Sequence, residues 1–276
     1  MKAYYNGKFG DLGEISVPLT DRSIFFGDGV YDAMIGENGR IDRFSEHMER
    51  LIKNAAAIGL PLPLSAEEIK NLIATSVKES GYSSYFIYVQ LSRSGKERKH
   101  AWEDGIPSNL LITVKPHTLP RNALKLTCMN DVRYSMCNVK TINLLPNVIA
   151  AAKAEARGFD EAVFIRGGFV TECAHSNISI IKNGALITHP DSPFILPGIT
   201  KRHLIADAKA LGISVFERPF TKEELFSADS VIVSSTSRLL SEAEMIDGKM
   251  METGKNEPSS LLISRAFDDY RKRMEI

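Results

Sequence analysis

Two prolines, Pro116 and Pro120, stand in the stretch Lys115-Pro116-His117-Thr118-Leu119-Pro120-Arg121-Asn122. Proline lacks a backbone N–H and fixes φ, so no helix or central strand runs through it. The stretch predicts a linker at 116–121 between a small N-terminal domain, 1–115, and a larger C-terminal domain, 122–276. Each part is long enough to bury a core. The chain has 276 residues, 43% hydrophobic and 25% charged, which excludes disorder as its main state.

Lys+Arg and Asp+Glu both number 34, so the formal net charge is zero. Coating nucleic acid or an anionic membrane needs a basic surplus, and neither is an expected partner. No apolar run is long enough to span a bilayer, and the N-terminus lacks an apolar signal core. The three cysteines, Cys128, Cys137 and Cys173, form no CxxC pair. No disulfide framework or metal site is expected, and a cytoplasmic, reducing location fits.

Strands and helices alternate without regular βαβ units, which favours α+β. Asn6-Gly7 signals a hairpin. Met48, Leu51, Ile52, Ala55 and Ile58 have helical spacing, with a start near Phe44-Ser45 and a stop at Gly59. Ser65 and Glu68 form a capping box before a helix ending at Gly81. Tyr82–Arg93 and Asn109–Val114 read as strands. In the second half, strands are expected at Leu124–Cys128, Val132–Tyr134, Glu161–Ile165, Asn177–Ile181 and Val231–Val233. The third and fourth of these flank Gly167-Gly168. Helices are expected after Pro146 and Thr200, and Thr221 with Glu224 makes another capping box.

The common nucleotide, metalloprotease and hydrolase motifs are absent. What remains is scattered and locally ambiguous. Leu196-Pro197-Gly198-Ile199-Thr200 opens a helix, whose free N–H groups suit a phosphate or merely a capped start. Ser235-Thr236-Ser237 offers hydroxyls to an anion or forms a polar turn. Lys140 is a surface lysine or a pocket amine able to form a Schiff base with an aldehyde cofactor. Glu172 is a turn acid or the partner of a protonated ring nitrogen. Arg98 and His100, with Tyr31, could clamp a carboxylate or belong to a solvated basic loop. Arg50 is a surface arginine or a phosphate partner.

In order, the chain carries Gly27-Asp28-Gly29-Val30-Tyr31-Asp32, Glu46-His47-Met48-Glu49-Arg50-Leu51, and Asn138-Val139-Lys140 running to Asn147. Val170-Thr171-Glu172, Ser176-Asn177, Leu196-Pro197-Gly198-Ile199-Thr200 and Ser235-Thr236 follow. This series resembles the fold-type IV pyridoxal-phosphate enzymes over nearly the whole chain. These are the D-amino-acid aminotransferases, the branched-chain aminotransferases and the aminodeoxychorismate lyases. The resemblance is nearest to the first group, through Tyr31 and the Arg98-Lys99-His100 spacing.

The resemblance implies a two-domain α+β fold with pyridoxal 5'-phosphate between the domains. Lys140 would hold the cofactor as a Schiff base and move the proton. Glu172 would face the pyridine nitrogen. Arg50, the Ile199 and Thr200 amides and the Thr236 hydroxyl would take the phosphate, and Leu196 would pack on the ring. Ser176 and Asn177 belong to the same cofactor site. Tyr31, Arg98 and His100 would hold the substrate α-carboxylate. The implied reaction moves an amino group from D-alanine or D-glutamate to a 2-oxo acid. The alternatives are release of 4-aminobenzoate and pyruvate from aminodeoxychorismate or, less favoured, branched-chain L-amino-acid transamination. A homodimer is implied, with the Arg98–His100 loop a candidate to reach a neighbour's site. Asp32 stands where the family more usually has Glu, and Cys173-Ala174-His175 replaces a serine-rich stretch.

Overall fold

The computed structural model describes residues 1–270, 272, 274 and 275; the expected domain limit at 276 lies outside them. The chain divides into two compact units. The first holds Met1–Thr118, Val139–Asn143 and the short strand Met274–Glu275, and the second holds Leu119–Asn138 and Leu144–Lys272.

The elements of the first unit are β1 (Lys2–Tyr5), β2 (Lys8–Asp11), α1 (Arg22–Phe26), β3 (Gly29–Glu37), β4 (Arg40–Asp42), α2 (Phe44–Ala57), α3 (Ala66–Ser80), β5 (Ser84–Ser92) and β6 (Asn109–Pro116). Asn6 and Gly7 turn β1 into β2 with φ of +43° and +92°, the positive pair a type I′ hairpin demands. The sheet runs Met274–Glu275, β4, β3, β5, β6, β1, β2, and every described pairing in it is antiparallel. Burial alternates along β5 from Ser84 to Leu91, so Tyr85, Ile87, Val89 and Leu91 point to one buried face. The apolar stripes of α2 (Met48, Leu51, Ala55) and α3 (Ile69, Ile73, Val77) close that core. The Ser65–Glu68 capping box starts α3, and Gly81 ends it in the left-handed region.

The second unit contains β7 (Leu124–Asn130), α4 (Leu145–Glu155), β8 (Glu161–Arg166), β9 (Phe169–Cys173), β10 (Asn177–Lys182), β11 (Ala185–Thr188), α5 (Ile199–Ala210), β12 (Val215–Glu217), α6 (Lys222–Phe226), β13 (Ser230–Ser235), β14 (Leu239–Ile246), β15 (Lys249–Met250) and α7 (Glu257–Tyr270). Its sheet runs β12, β11, β10, β13, β14, β7, β8, β9, with β15 on β14. Three junctions are parallel: β11 with β12, β14 with β7, and β7 with β8. Ile178, Ile180, Val231, Val233 and Phe220 form one buried cluster. Leu204 and Ala208 of α5 pack with Leu262 and Ala266 of α7 in another.

Two expectations change. Val132–Tyr134 is not a strand, because Asp131 Oδ1 accepts the Arg133 N–H at 3.1 Å and turns the chain as β7 ends. The Gly167-Gly168 turn joins β8 to β9 rather than to Asn177–Ile181. Among the described residues no helix is long and apolar enough to cross a membrane.

Candidate active site

In the first unit, the Lys140 segment lies antiparallel along the start of β3. The Tyr31 N–H donates to the Lys140 carbonyl at 2.9 Å, and the Ile142 N–H to the Gly29 carbonyl at 3.1 Å. Gly29 is hemmed in on both sides: a Cβ there would lie 2.5 Å from the Leu91 carbonyl oxygen of β5 and 3.0 Å from Ile142 Cδ1. Lys140 is half-buried, with Nζ 4.3 Å from the centroid of the Tyr31 ring. That ring stacks on Tyr88 at 5.3 Å. The backbone register thus fixes an amine over an aromatic face.

One residue on, Asp32 points to the opposite face of β3 and is fully buried. It accepts from Arg50 Nε and Nη2, both at 2.8 Å, and lies 2.7 Å from His47 Nδ1. His47 and Arg50 are three apart on α2 and share a face. Burial works against the Asp32 charge, but Arg50 and then His47 override it and hold the carboxyl well below the usual range. Burial likewise opposes the Arg50 charge and Asp32 outweighs it, so the guanidinium stays cationic.

Arg98 and His100 lie on the exposed loop between β5 and β6. Both meet Phe26, the last residue of α1. The Arg98 guanidinium is 5.2 Å from the Phe26 centroid, and the His100 ring is 5.3 Å from it.

In the second unit, Glu172 on β9 is a hub. Its Oε1 accepts from Arg133 Nη1. Its Oε2 accepts from Asn177 Nδ2 at 3.0 Å and from the Leu196 N–H at 2.9 Å. Asn177 Nδ2 also donates to the Leu196 carbonyl at 3.0 Å. Three donors converging on one side chain suit an acceptor-only carboxylate. Arg133 is buried, with Nε and Nη2 each 3.0 Å from Asp131. Burial opposes its charge, and Asp131 and Glu172 more than offset that.

The turn after Leu196 feeds α5. Gly198 precedes the helix and supplies no side-chain cap. A Cβ there would lie 2.0 Å from Asn177 Oδ1, so only glycine fits. Ile199 and Thr200 are buried in the first turn. The Thr200 hydroxyl is buried with no hydrogen-bond partner among the described residues, as is that of Ser234 near the end of β13. Thr236 is half-buried in the following turn. A buried orphan hydroxyl is costly. At an uncapped helix start it fits an anionic group such as a phosphate.

The first unit therefore gathers Lys140 with Tyr31, Arg98 with His100, and Arg50 with Asp32. The second gathers Glu172, Asn177 and Leu196, and sets Ile199 and Thr200 at the start of α5. Ser176 turns elsewhere: its hydroxyl donates to both oxygens of buried Glu161 at 2.9 and 2.8 Å, which His175 Nδ1 also meets. Sequence reasoning missed Arg133, Asp131, Phe26 and the pairing of Asp32. For Asp32 a signal existed, since His47 and Arg50 at i, i+3 present two hydrogen-bonding partners on one helix face.

The family model for amino-transferase class IV matches residues 29–244. A D-alanine aminotransferase of Listeria monocytogenes is 37% identical over 274 residues, covering 97% of this chain and 95% of that protein. A D-alanine aminotransferase of Staphylococcus haemolyticus is 33% identical, covering 98% and 97%. The crystal structure of a branched-chain aminotransferase from Thermoproteus uzoniensis with norvaline superposes with a TM-score of 0.89 at 27% identity. It covers 100% of this chain and 98% of that one.

Proposed function

The chain belongs to the class IV aminotransferase family, and on that premise we propose a pyridoxal 5'-phosphate-dependent D-amino-acid transaminase that moves the amino group of D-alanine or D-glutamate to a 2-oxo acid. The register that sets Lys140 opposite Tyr31 carries the reading. The full-length likeness to D-alanine aminotransferases supports the choice of substrate.

When bound, the cofactor supplies an electron sink for the charge left on the substrate's Cα. Lys140 anchors it through its amine and carries the proton to and from Cα. Glu172, steadied by Arg133, Asn177 and the Leu196 N–H, accepts from the pyridine N–H. The amides of Ile199 and Thr200, the hydroxyls of Thr200 and Thr236, and Arg50 bind the phosphate. Leu196 packs on the ring, and Asn177 braces the turn that presents it. The Ser176 hydroxyl, bound to Glu161, orients the β9–β10 connection. Tyr31, Arg98 and His100 hold the α-carboxylate and so choose which face of Cα meets Lys140.

The enzyme works as a homodimer in which the Arg98–His100 loop reaches the neighbour's site. Leu145, Val148 and Ile149 stand exposed on α4, apolar surface that a second copy would cover. Light scattering in solution tests this. Three free thiols suit a cytoplasmic enzyme.

Single-turnover spectroscopy of the loaded enzyme tests the activity. D-alanine should discharge the visible absorbance and release stoichiometric pyruvate, while L-leucine should do neither. Discharge by L-leucine alone would mean a branched-chain enzyme. Silence with both, and 4-aminobenzoate released from aminodeoxychorismate, would mean a lyase.

A further inference from the structure

The loop between β5 and β6 has no apolar anchor where it matters. Gly95-Lys96-Glu97-Arg98-Lys99-His100 is polar throughout and is mostly exposed. Such a segment has few buried contacts of its own to give it order. The structure instead attaches it to the five-residue helix α1 at three levels.

The roots of the loop are held first. Asp21 caps α1 by accepting the Ser23 N–H at 2.8 Å. Its other oxygen accepts from Ser92 Oγ at 2.8 Å and Asn109 Nδ2 at 2.7 Å. Ser92 is the last residue of β5 and Asn109 the first of β6. One carboxylate therefore clasps both ends of the loop to the start of the helix.

The middle is held by Arg22, which is only 5% exposed. Its Nη1 donates to the Lys99 carbonyl and its Nη2 to the His100 carbonyl at 2.9 Å. Its Nε donates to Asp28 at 2.8 Å. A rigid guanidinium fork suits two consecutive carbonyls, and a lysine could not span them in the same way. Asp28 stands three residues before Tyr31. It also accepts from Arg93 Nε at 3.0 Å, and the Arg93 guanidinium lies 4.1 Å from the ring of Trp102, in the same loop.

The tip is seated last. The Phe26 ring carries Arg22 at 4.7 Å and Arg98 at 5.2 Å, with His100 at 5.3 Å.

We propose that α1 is the positioning element of the substrate-carboxylate loop, with Arg22 fixing the Lys99–His100 backbone and Phe26 aiming Arg98 and His100. The proposal rests on the carboxylate role given to Arg98 and His100 above. Asp28 backs the arrangement, because one carboxylate accepts from both Arg22 and Arg93.

The test uses the loaded enzyme and the variants Arg22→Lys, Phe26→Leu and Arg98→Ala, with KM and kcat for D-alanine and 2-oxoglutarate. Trp102 is the only tryptophan in the chain, so acrylamide quenching of its emission reports loop order without reference to turnover. Losing the charged fork should raise KM for both substrates about tenfold while kcat changes less than about threefold. Trp102 quenching should rise in Arg22→Lys. Phe26→Leu, which keeps an apolar side chain, should raise KM in the same sense and decides the matter if Arg22→Lys does not fold. If Arg98→Ala raises KM but neither α1 variant does, α1 is not a positioning element and the proposal fails while the carboxylate role stands. A fall in kcat at unchanged KM in both α1 variants also overturns it. If Arg98→Ala leaves KM unchanged, the carboxylate role fails, and the proposal with it.

Discussion

Asp32 and Arg50 form a two-point pair, Oδ2 to Nε and Oδ1 to Nη2, each at 2.8 Å, with the aspartate fully buried. Removing one charge of such a pair strands the other in a medium that solvates it poorly. Asp32→Asn keeps the side-chain volume and removes the buried carboxylate that faces Arg50. The expected loss is roughly 3–5 kcal/mol, seen as a fall of about 10 °C in the unfolding midpoint. A change of under about 2 °C would mean that Arg50 finds its counter-charge elsewhere.

The same pair fixes a pH dependence. The folded Asp32 carboxyl sits below its ordinary value because Arg50 and His47 outweigh its burial. An unfolded aspartate titrates near about 3.9. Its contribution is thus complete above that pH and declines as pH falls toward the folded value. Titration of Asp32 itself should add no slope to the stability gap between the native protein and Asp32→Asn above about pH 5. Below about pH 4 the gap should shrink by about 1.4 kcal/mol per pH unit. Denaturant titrations of both proteins across pH 7 to 3 measure it, and a gap independent of pH would remove Asp32 as the group responsible.

Much of this molecule is legible from local rules. Asn6-Gly7, the Ser65–Glu68 box and the stripe through Met48, Leu51 and Ala55 each encode their element within a few residues, and the structure follows them. The α+β class comes from the same reading. β9 escaped because Thr171 and Glu172 are polar yet buried, which partners such as Arg133 and Asp131, distant in sequence, make tolerable. The false strand at 132–134 has the same origin, since its β-forming residues flank an arginine drawn into that buried cluster. Lys140 could be singled out only by resemblance. Its contact with Tyr31 is made by pairing across more than a hundred residues, which no spacing rule reveals.

Lys140→Ala should reduce turnover by more than about 10³-fold, since it removes both the anchoring amine and the base. Stability should barely change, because the half-buried side chain gives up only its contact with Tyr31, worth about 0.5–1 kcal/mol. Parallel measurement of turnover and of the unfolding midpoint separates the two. Turnover within tenfold of the native enzyme would take Lys140 out of the reaction.

Glu172→Gln asks whether the carboxylate is needed or only its shape. The amide would turn its N–H₂ either toward Arg133 or toward the Asn177 and Leu196 donors, donor facing donor in each case. A buried donor left unpaired costs about 1–3 kcal/mol. Loss of the charge beside the ring nitrogen should lower turnover about 10²-fold. Glu172→Asp, which keeps the charge, should retain more activity than Glu172→Gln. The reverse order would show that geometry, not charge, is the requirement.

Gly198→Ala tests how the cofactor turn is braced. The new Cβ would fall 2.0 Å from Asn177 Oδ1, and Asn177 cannot retreat without releasing Glu172 and the Leu196 carbonyl. Overpacking of this kind costs about 1–3 kcal/mol, and pyridoxal 5'-phosphate should be lost more readily on dialysis. The double variant Gly198→Ala/Asn177→Ala isolates the contact. With Asn177 truncated the nearest remaining neighbour is Lys201 Cβ at 3.4 Å, an ordinary contact, so adding Gly198→Ala should cost less than about 0.5 kcal/mol further. The coupling between the two positions should therefore be strong and of compensating sign. Additive losses would mean that the glycine is required by the backbone itself and not by Asn177.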